Sequence, residues 1–291
     1  MSKKAPTIKM FLGGGLGNQL FQYAFARALA MRNEANLVLD AASIFEIDYR
    51  YKRSFELDAF KLPPEVKILR RKPFAVHLRR KFVELTCCRG PHLSNPYVRE
   101  LRPLKFYPEY LDWKVYKNVN LLGYWQCEQY FVDFKSQILQ DLSFLNPINE
   151  CRAEFLKKIQ ASNSVAVHVR RADYSQAIGL GYYEASINQM RQIIGNPRFF
   201  VFTDVPDWWE KNAIEGDDIE LVPSGDLPAI EDFKLMTYCQ HYIIANSTFS
   251  WWAAWLGKAK HEASQIISPQ REIWDNKSIV PENWSTNPAN Y

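Results

Sequence analysis

Apolar residues fall in short runs separated by stretches with helical spacing, and this alternation repeats along most of the chain. Ile8 to Leu12 is one such run, broken by Gly13, Gly14, Gly15 and Gly17. From Asn18 onward Leu20, Phe21, Ala24, Phe25, Ala28 and Leu29 recur as one face of a helix. LVLD (37–40) and VNLLGYW (119–125) read as strands, and 127–141 as a helix. Residues 45–115 carry Pro63, Pro64, Pro73, Pro91, Pro96, Pro103 and Pro108, and read as loops and short helices. The second half is more regular. SVAVHV, YYEASINQMRQII, RFFVFTD, IELVP, AIEDFKLMTYCQH, YIIAN, a tryptophan-rich helix and QIISP succeed one another. Strands alternating with helices imply βαβ units and a parallel sheet. The tail, SIVPENWSTNPANY, is polar and reads as irregular. The turn residues Asn146 and Pro147 suggest a boundary, giving domains 1–150 and 151–291.

Composition agrees with two folded domains. The chain has 291 residues, and domains of roughly 150 are the expectation at that length. Hydrophobic residues make up 47%, including 18 Phe, 15 Tyr and 9 Trp, which excludes a disordered chain. A net charge of +4 suits an anionic small ligand and is too weak to argue for nucleic acid. The five cysteines are an odd number without CxxC spacing. That opposes a disulfide framework or zinc site and favours a reducing compartment, the cytoplasm. A redox role for the adjacent Cys87 and Cys88 is the lesser alternative. MSKKAPTIKM lacks an apolar leader, and no run of about 18 apolar residues occurs, so no transmembrane segment is expected. The basic stretch from Lys67 to Arg89 reads as a solvated face, with weak peripheral contact to an anionic membrane as the alternative.

Open α/β sheets bind ligands beyond the carboxyl ends of their strands. Three stretches fall there. GGGLGNQ (13–19) joins close-approach glycines to a helix start, which together make an anion site; a tight strand–helix turn is the plainer reading. HVRRADY (168–174) comes after an apolar strand. Its arginines alternate in direction, so one of Arg170 and Arg171 faces the site, on the same side as His168. Asp173 is suited to orienting an arginine, capping a helix or acting as a base. A salt-bridge cluster at a strand end is the plainer reading here. NSTFSWWAAWLG (246–257) comes after YIIA. Ser247 or Thr248 can cap the next helix and Gly257 can end it, while the helix start is a second anion site. Trp251, Trp252 and Trp255 share a face better suited to core packing than to a cofactor. Three such stretches, one with arginines, suggest a diphosphate held between two domains.

The same residues carry a family likeness. His168, Arg170, Arg171 and Asp173 form the H-x-R-R-x-D pattern of the α1,2-, α1,6- and protein O-fucosyltransferases. GGLGNQLFQYAFARALA and ANSTFSWWAAWLG resemble the other two hallmarks of α1,2-fucosyltransferases, and the chain is most similar to the soluble bacterial members. The resemblance implies an α/β protein of GT-B type, two Rossmann-like domains with the active site in the cleft between them. The N-terminal domain would serve the acceptor and the C-terminal one GDP-fucose. It implies transfer of fucose from GDP-β-L-fucose to the 2-hydroxyl of a terminal β-galactoside, inverting and without a divalent metal. No D-x-D occurs.

Roles carry over residue by residue. Arg170 would bind the donor β-phosphate and His168 the nucleotide near base or ribose. Asn18 would lie near diphosphate and acceptor, with Gly15 and Gly17 letting the backbone approach. Ser247, Thr248 and Phe249 would meet phosphates and nucleotide. Asp232 or Asp204 would read guanine, whose N1–H and N2–H₂ donors want a carboxylate, or one of them ribose. Asp173 is a possible general base. Two rival readings stay open. A Rossmann oxidoreductase would use GGGLGN for pyrophosphate and Asp40, about 23 residues beyond Gly17, for ribose, yet lacks GxGxxG. A non-catalytic galactoside-binding module would suit the aromatic content.

Overall fold

The structure is a computed structural model that describes residues 5–70, 88–89, 96–101, 105–171, 177–223, 225–274 and 276–289. The chain divides into two compact units, Met1–Leu145 and Asn146–Tyr291.

The first unit holds β1 (Thr7–Phe11), α1 (Leu16–Arg32), β2 (Asn36–Asp40), β3 (Lys67–Leu69), β4 (Cys88–Arg89), β5 (Tyr97–Arg99), β6 (Val119–Leu122) and α2 (Lys135–Asp141). Its strands lie in the order β3-β2-β1-β6-β5-β4, all parallel. The region 45–115, expected as loops and short helices, therefore supplies three of the strands. Each is only two or three residues long, below what a period-two pattern reveals. Helix α1 is buried nearly all round, Gln19, Gln22 and Arg27 included, which is more than the single apolar face in its sequence requires. Its polar residues are matched: Arg27 Nε pairs with Asp141 Oδ2 at 3.0 Å, and the Tyr23 hydroxyl donates to the same oxygen at 2.7 Å. The helix expected over 127–141 is broken. Two 3₁₀ turns, Glu128–Tyr130 and Val132–Phe134, precede α2. Arg32 Nη1 donates to the Tyr130 carbonyl at 2.8 Å, so a partner on α1 meets a need that helical N–H groups would otherwise serve.

The second unit contains α3 (Ala153–Gln160), β7 (Asn163–Val169), α4 (Leu180–Ile193), β8 (Pro197–Thr203), α5 (Pro206–Asn212) and β9 (Ile219–Leu221). It continues with α6 (Ala229–Met236), β10 (His241–Ile243), α7 (Thr248–Lys258), β11 (Ile266–Pro269) and β12 (Ser285–Asn287). The strand order is β12-β11-β10-β7-β8-β9, again all parallel. The chain starts mid-sheet, winds out to β9, then returns to β10 beside β7. That is the doubly wound order, with its reversal between β7 and β10. Every residue of β7 from Ser164 to Val169 is buried, as a strand covered on both faces requires. The tail is not wholly irregular. Ser285–Asn287 adds an edge strand against Ile267–Pro269, held by backbone pairing that its polar side chains do not advertise.

Trp251, Trp252 and Trp255 pack as core. Trp251 lies 5.2 Å from Trp252 and 5.4 Å from Trp284, and its Nε1 donates to the Ile279 carbonyl at 2.8 Å. Gly257 does not end α7, which runs on to Lys258. It admits Tyr242 of β10: a Cβ at Gly257 would overlap the Tyr242 hydroxyl and lie 2.6 Å from Cζ. Tyr242 is fully buried and has nowhere to retreat. Gly257→Ala is therefore expected to destabilise the protein by about 1–3 kcal/mol through overpacking, lowering the thermal midpoint by roughly 3–10 °C. A calorimetric midpoint unchanged to within about 1 °C would show that helix and strand are not in this contact.

Candidate functional site

Parallel pairing brings the carboxyl ends of β8, β7 and β10 to one edge, and the segments that leave these strands meet there. Asp204, after β8, binds both chain and side chain of the segment after β7. Its Oδ1 accepts the Arg171 N–H at 3.0 Å and its Oδ2 pairs with Arg170 Nε at 3.1 Å. The two arginines diverge. The Arg171 guanidinium lies 4.0 Å from the centre of the Trp208 ring and donates to the Ile178 carbonyl at 2.8 Å, so it fastens the unit. Arg170 is the one held at the switch point, a quarter of its side chain exposed.

An aromatic wall stands beside it. His168 stacks on Phe249 with centroids 5.6 Å apart, and Phe249 meets Phe233 of α6 edge-on at 5.1 Å. Burial, and secondarily the Arg170 charge, push the His168 pKa down to about 3, so its ring is neutral at pH 7. His168 Nδ1 and Asn246 Oδ1 are buried without a hydrogen-bond partner among the described residues. Buried polar atoms of this kind want a water, an ion or a ligand as partner. Ser247 sits at the N-cap of α7 in extended conformation, yet its side chain makes no capping bond. The helix start therefore offers main-chain N–H groups at the same edge.

The two carboxylates expected to read guanine both hold arginines. Asp204 braces Arg170, and Asp232 on α6 pairs with Arg152 at 2.6 Å. Its neighbour Glu231 accepts the Asn149 N–H at 2.8 Å and pairs with Lys234 at the same distance. Asp173 lies outside the described residues, as does most of the basic stretch 67–89.

In the first unit the order reverses between β1 and β6. Gly14 takes φ 77°, and a Cβ there would lie 2.6 Å from Asn18 Nδ2. Gly15 caps α1 and Gly17 is buried in its first turn. Asn18 Oδ1 accepts from Gln126 Nε2 at 2.8 Å, a bond that fixes which way the amide faces. Gln22 links the Gly13 N–H to the Gly123 carbonyl, and Gln19 links the Gly14 and Ser54 carbonyls. The Arg53 guanidinium also approaches Gly15. Nothing in the order of residues singles out Arg53, and the one signal for Gln126 is its place directly after GYW and an apolar run. Asp40 is no open ribose ligand: it accepts from the Ala42 and Ser43 N–H groups and from Ser43 Oγ, closing the turn after β2.

A polar cavity of about 700 Å³ lies at the opposite, amino edge of the second sheet, lined by Ser162, Asn163, Arg198 and Asp218 among others, away from these groups. Among the described residues no cluster of three or more His, Cys, Asp or Glu is placed to hold a metal ion, and no helix is long and apolar enough to cross a membrane.

The family described as Glycosyl transferase family 11 matches residues 105–286. An α1,2-colitosyltransferase of Escherichia coli is 30% identical, covering 94% of this chain and 96% of its own. Galactoside α(1,2)-fucosyltransferase 2 of Oryctolagus cuniculus is 26% identical, over 84% of this chain and 65% of that protein. Among solved structures, the NodZ α1,6-fucosyltransferase soaked with GDP-fucose superposes with a TM-score of 0.52 at 17% identity, over 87% of this chain and 92% of its own. A mutant of Arabidopsis thaliana FUT1 in complex with GDP gives 0.53 at 12% identity, over 91% and 71%. These likenesses show the fold, a GT-B-type α/β protein of two Rossmann-like domains.

The buried histidine makes stability depend on pH. Below its ordinary pKa of 6.5 the unfolded chain takes up a proton at His168 that the folded protein refuses until about pH 3. Stability is whole above pH 6.5 and is lost as pH falls toward 3. His168→Gln is expected to flatten the decline of unfolding free energy between pH 6.5 and 4.5, by up to about 1.4 kcal/mol per pH unit. Parallel declines in urea titrations of the two proteins would mean that His168 is protonated in the fold.

Proposed function

The chain belongs to glycosyl transferase family 11, and we propose that it transfers L-fucose from GDP-β-L-fucose to the 2-hydroxyl of a terminal β-galactoside, forming an α1,2 linkage. The observation that carries this reading is the pairing of Arg170 with Asp204 at the β7–β10 switch point, beside the start of α7 and the wall of His168 and Phe249. A fixed cation and helix N–H groups next to stacked rings suit a nucleoside diphosphate. The galactoside α(1,2)-fucosyltransferases among its relatives supply the sugar and the linkage.

In this reading the acceptor 2-oxygen attacks the anomeric carbon as the bond to the β-phosphate breaks. The acceptor proton passes to a base, and the electron pair stays on the departing GDP. One displacement turns the β donor into an α product. Negative charge growing on the diphosphate is met by Arg170 and the α7 start with Ser247 and Thr248, in place of a divalent metal. Asp204 acts through Arg170: accepting from Nε, it fixes the plane of the guanidinium. Neutral His168 and Phe249 flank the base or ribose, and Asp232, beside Phe233, takes the guanine N–H groups. Asn18, with its oxygen held by Gln126, presents the amide toward diphosphate and acceptor. Gly15 and Gly17 admit the donor backbone-close, and Asp173 is the candidate base. Residues 1–150 serve the acceptor and 151–291 the donor. Cys127, Cys151 and Cys239 are free thiols, which suits a bacterial cytoplasm.

The colitosyltransferase relative favours a second donor, GDP-colitose, which lacks the 3-hydroxyl of fucose. Both donors are to be offered with β-galactosides in EDTA, reading GDP release and product linkage. GDP-fucose is expected to turn over within about two-fold of its rate in added Mg²⁺. Preference for GDP-colitose would move the assignment to that sugar, and loss of activity restored by metal would remove the metal-free mechanism. Arg170→Lys is expected to lower kcat by roughly 150–1000-fold, about 3–4 kcal/mol, because a point charge does not replace a planar fork. A kcat within about three-fold of wild type would take Arg170 out of this role.

A further inference from the structure

The edge of the first sheet carries exposed aromatic and half-buried charged side chains that the donor reaction leaves unused. The loop after β2 is bound down over the glycine turn. Gln19 Nε2 donates to the Ser54 carbonyl at 2.8 Å, and the Glu56 N–H donates to Gln19 Oε1 at 2.9 Å. Within this loop Asp48 accepts the N–H groups of Tyr51, at 3.0 Å, and Arg53, at 3.2 Å. The Arg53 guanidinium lies 5.8 Å from the centre of the Tyr51 ring and 3.7 Å from where a Gly15 Cβ would stand. Tyr51 remains 47% exposed.

Tyr124 comes to the same edge from β6, the neighbour of β1. Its turn is built for the purpose. Trp125 takes φ 47°, a costly conformation for a large side chain, and the nearby Gly123 is pressed against Glu100. Buried Glu100 uses both carboxylate oxygens on it, accepting the Tyr124 N–H at 2.8 Å and the Trp125 N–H at 3.0 Å. The Trp125 ring is buried and stacked on Phe25, which leaves Tyr124 as the ring displayed, 37% exposed. Both segments are tied to the start of α1: on either side of Tyr124, the Gly123 carbonyl accepts from Gln22 at 2.9 Å and Gln126 donates to Asn18 at 2.8 Å, while Gln19 of the same first turns holds Ser54 and Glu56.

A lone exposed tyrosine needs no explanation. Two of them on segments bonded to the same helix start, one next to a carboxylate and a guanidinium and the other presented by a buried carboxylate and strained backbone, do. We propose that Tyr124 and Tyr51, with Asp48 and Arg53, form the platform on which the acceptor galactoside rests. The chemistry fits that ring. The axial 4-hydroxyl of a galactoside leaves the opposite face lined with C–H bonds for an aromatic ring, while its hydroxyls find an acceptor in Asp48 and a donor in Arg53. Each Asp48 oxygen keeps a lone pair after its backbone bond.

The inference rests on the galactoside acceptor of the proposed reaction, and its test is independent of the donor. N-acetyllactosamine is titrated into the full protein with GDP present, and saturation-transfer NMR reads its affinity. Tyr124→Ala and Tyr51→Ala are each expected to weaken binding by about ten-fold or more, Tyr124→Phe by less than about two-fold, with GDP affinity by calorimetry unchanged to within about two-fold. Exposed Tyr51 tests the platform even if Tyr124→Ala fails to fold. Galactoside affinity within about two-fold of wild type in the alanine variants, or no titration by wild type, would overturn the platform. Failure of the donor assignment shows separately, as absent GDP release from GDP-fucose.

Discussion

Parallel pairing forces all carboxyl ends of a sheet to one edge, and a reversal of strand order opens that edge at one point. Both units obey this, at β1–β6 and at β7–β10. The candidate groups among the described residues depend on it. The glycine turn, Asn18 and Gln126 gather at the first reversal; Arg170, Asp204 and the start of α7 gather at the second. Residues far apart in sequence become neighbours because backbone hydrogen bonds fix register. Thr203 lies beside Val169 in the β7–β8 pairing, so Asp204 arrives one residue later, opposite Arg170.

Buried and half-buried carboxylates recur as builders of the fold. Asp204 holds the segment after β7, Glu100 the turn after β6, Asp40 the turn after β2, and Asp141 anchors α1. A carboxylate taken from water must be matched by hydrogen bonds or a cation, and each of these is. The arrangement explains why acidic residues are poor guides to ligand contacts when read singly. A carboxyl group at a strand end serves equally well as ligand or brace, and only its neighbours distinguish the two. For Asp204 the neighbour is Arg170 itself, a pairing that its place after β8 gives no hint of in the order of residues.

The aromatic residues divide by the same logic. Trp251, Trp252 and Trp255 pack against one another and Trp284 in the interior, while Phe249, at the start of the same helix, faces His168.

Strands with long apolar runs, the glycine turn, the helix at 248–258 and the separation of Arg170 from Arg171 are all legible in the order of residues, because each arises from local periodicity. Two- and three-residue edge strands are not, since backbone pairing alone holds them and their side chains carry no pattern. The break in 127–141 is equally hidden, because the side chain that meets its Tyr130 carbonyl, Arg32, sits about a hundred residues away. Gln126, Arg53 and Tyr124 gain their importance only through packing. Their types are ordinary, and their roles come from which strand end they succeed and which strand lies beside it. Local chemistry can name what a segment prefers to be. Which segments face one another is settled by the closure of the sheet, where non-local hydrogen bonds and burial outweigh any single residue's preference.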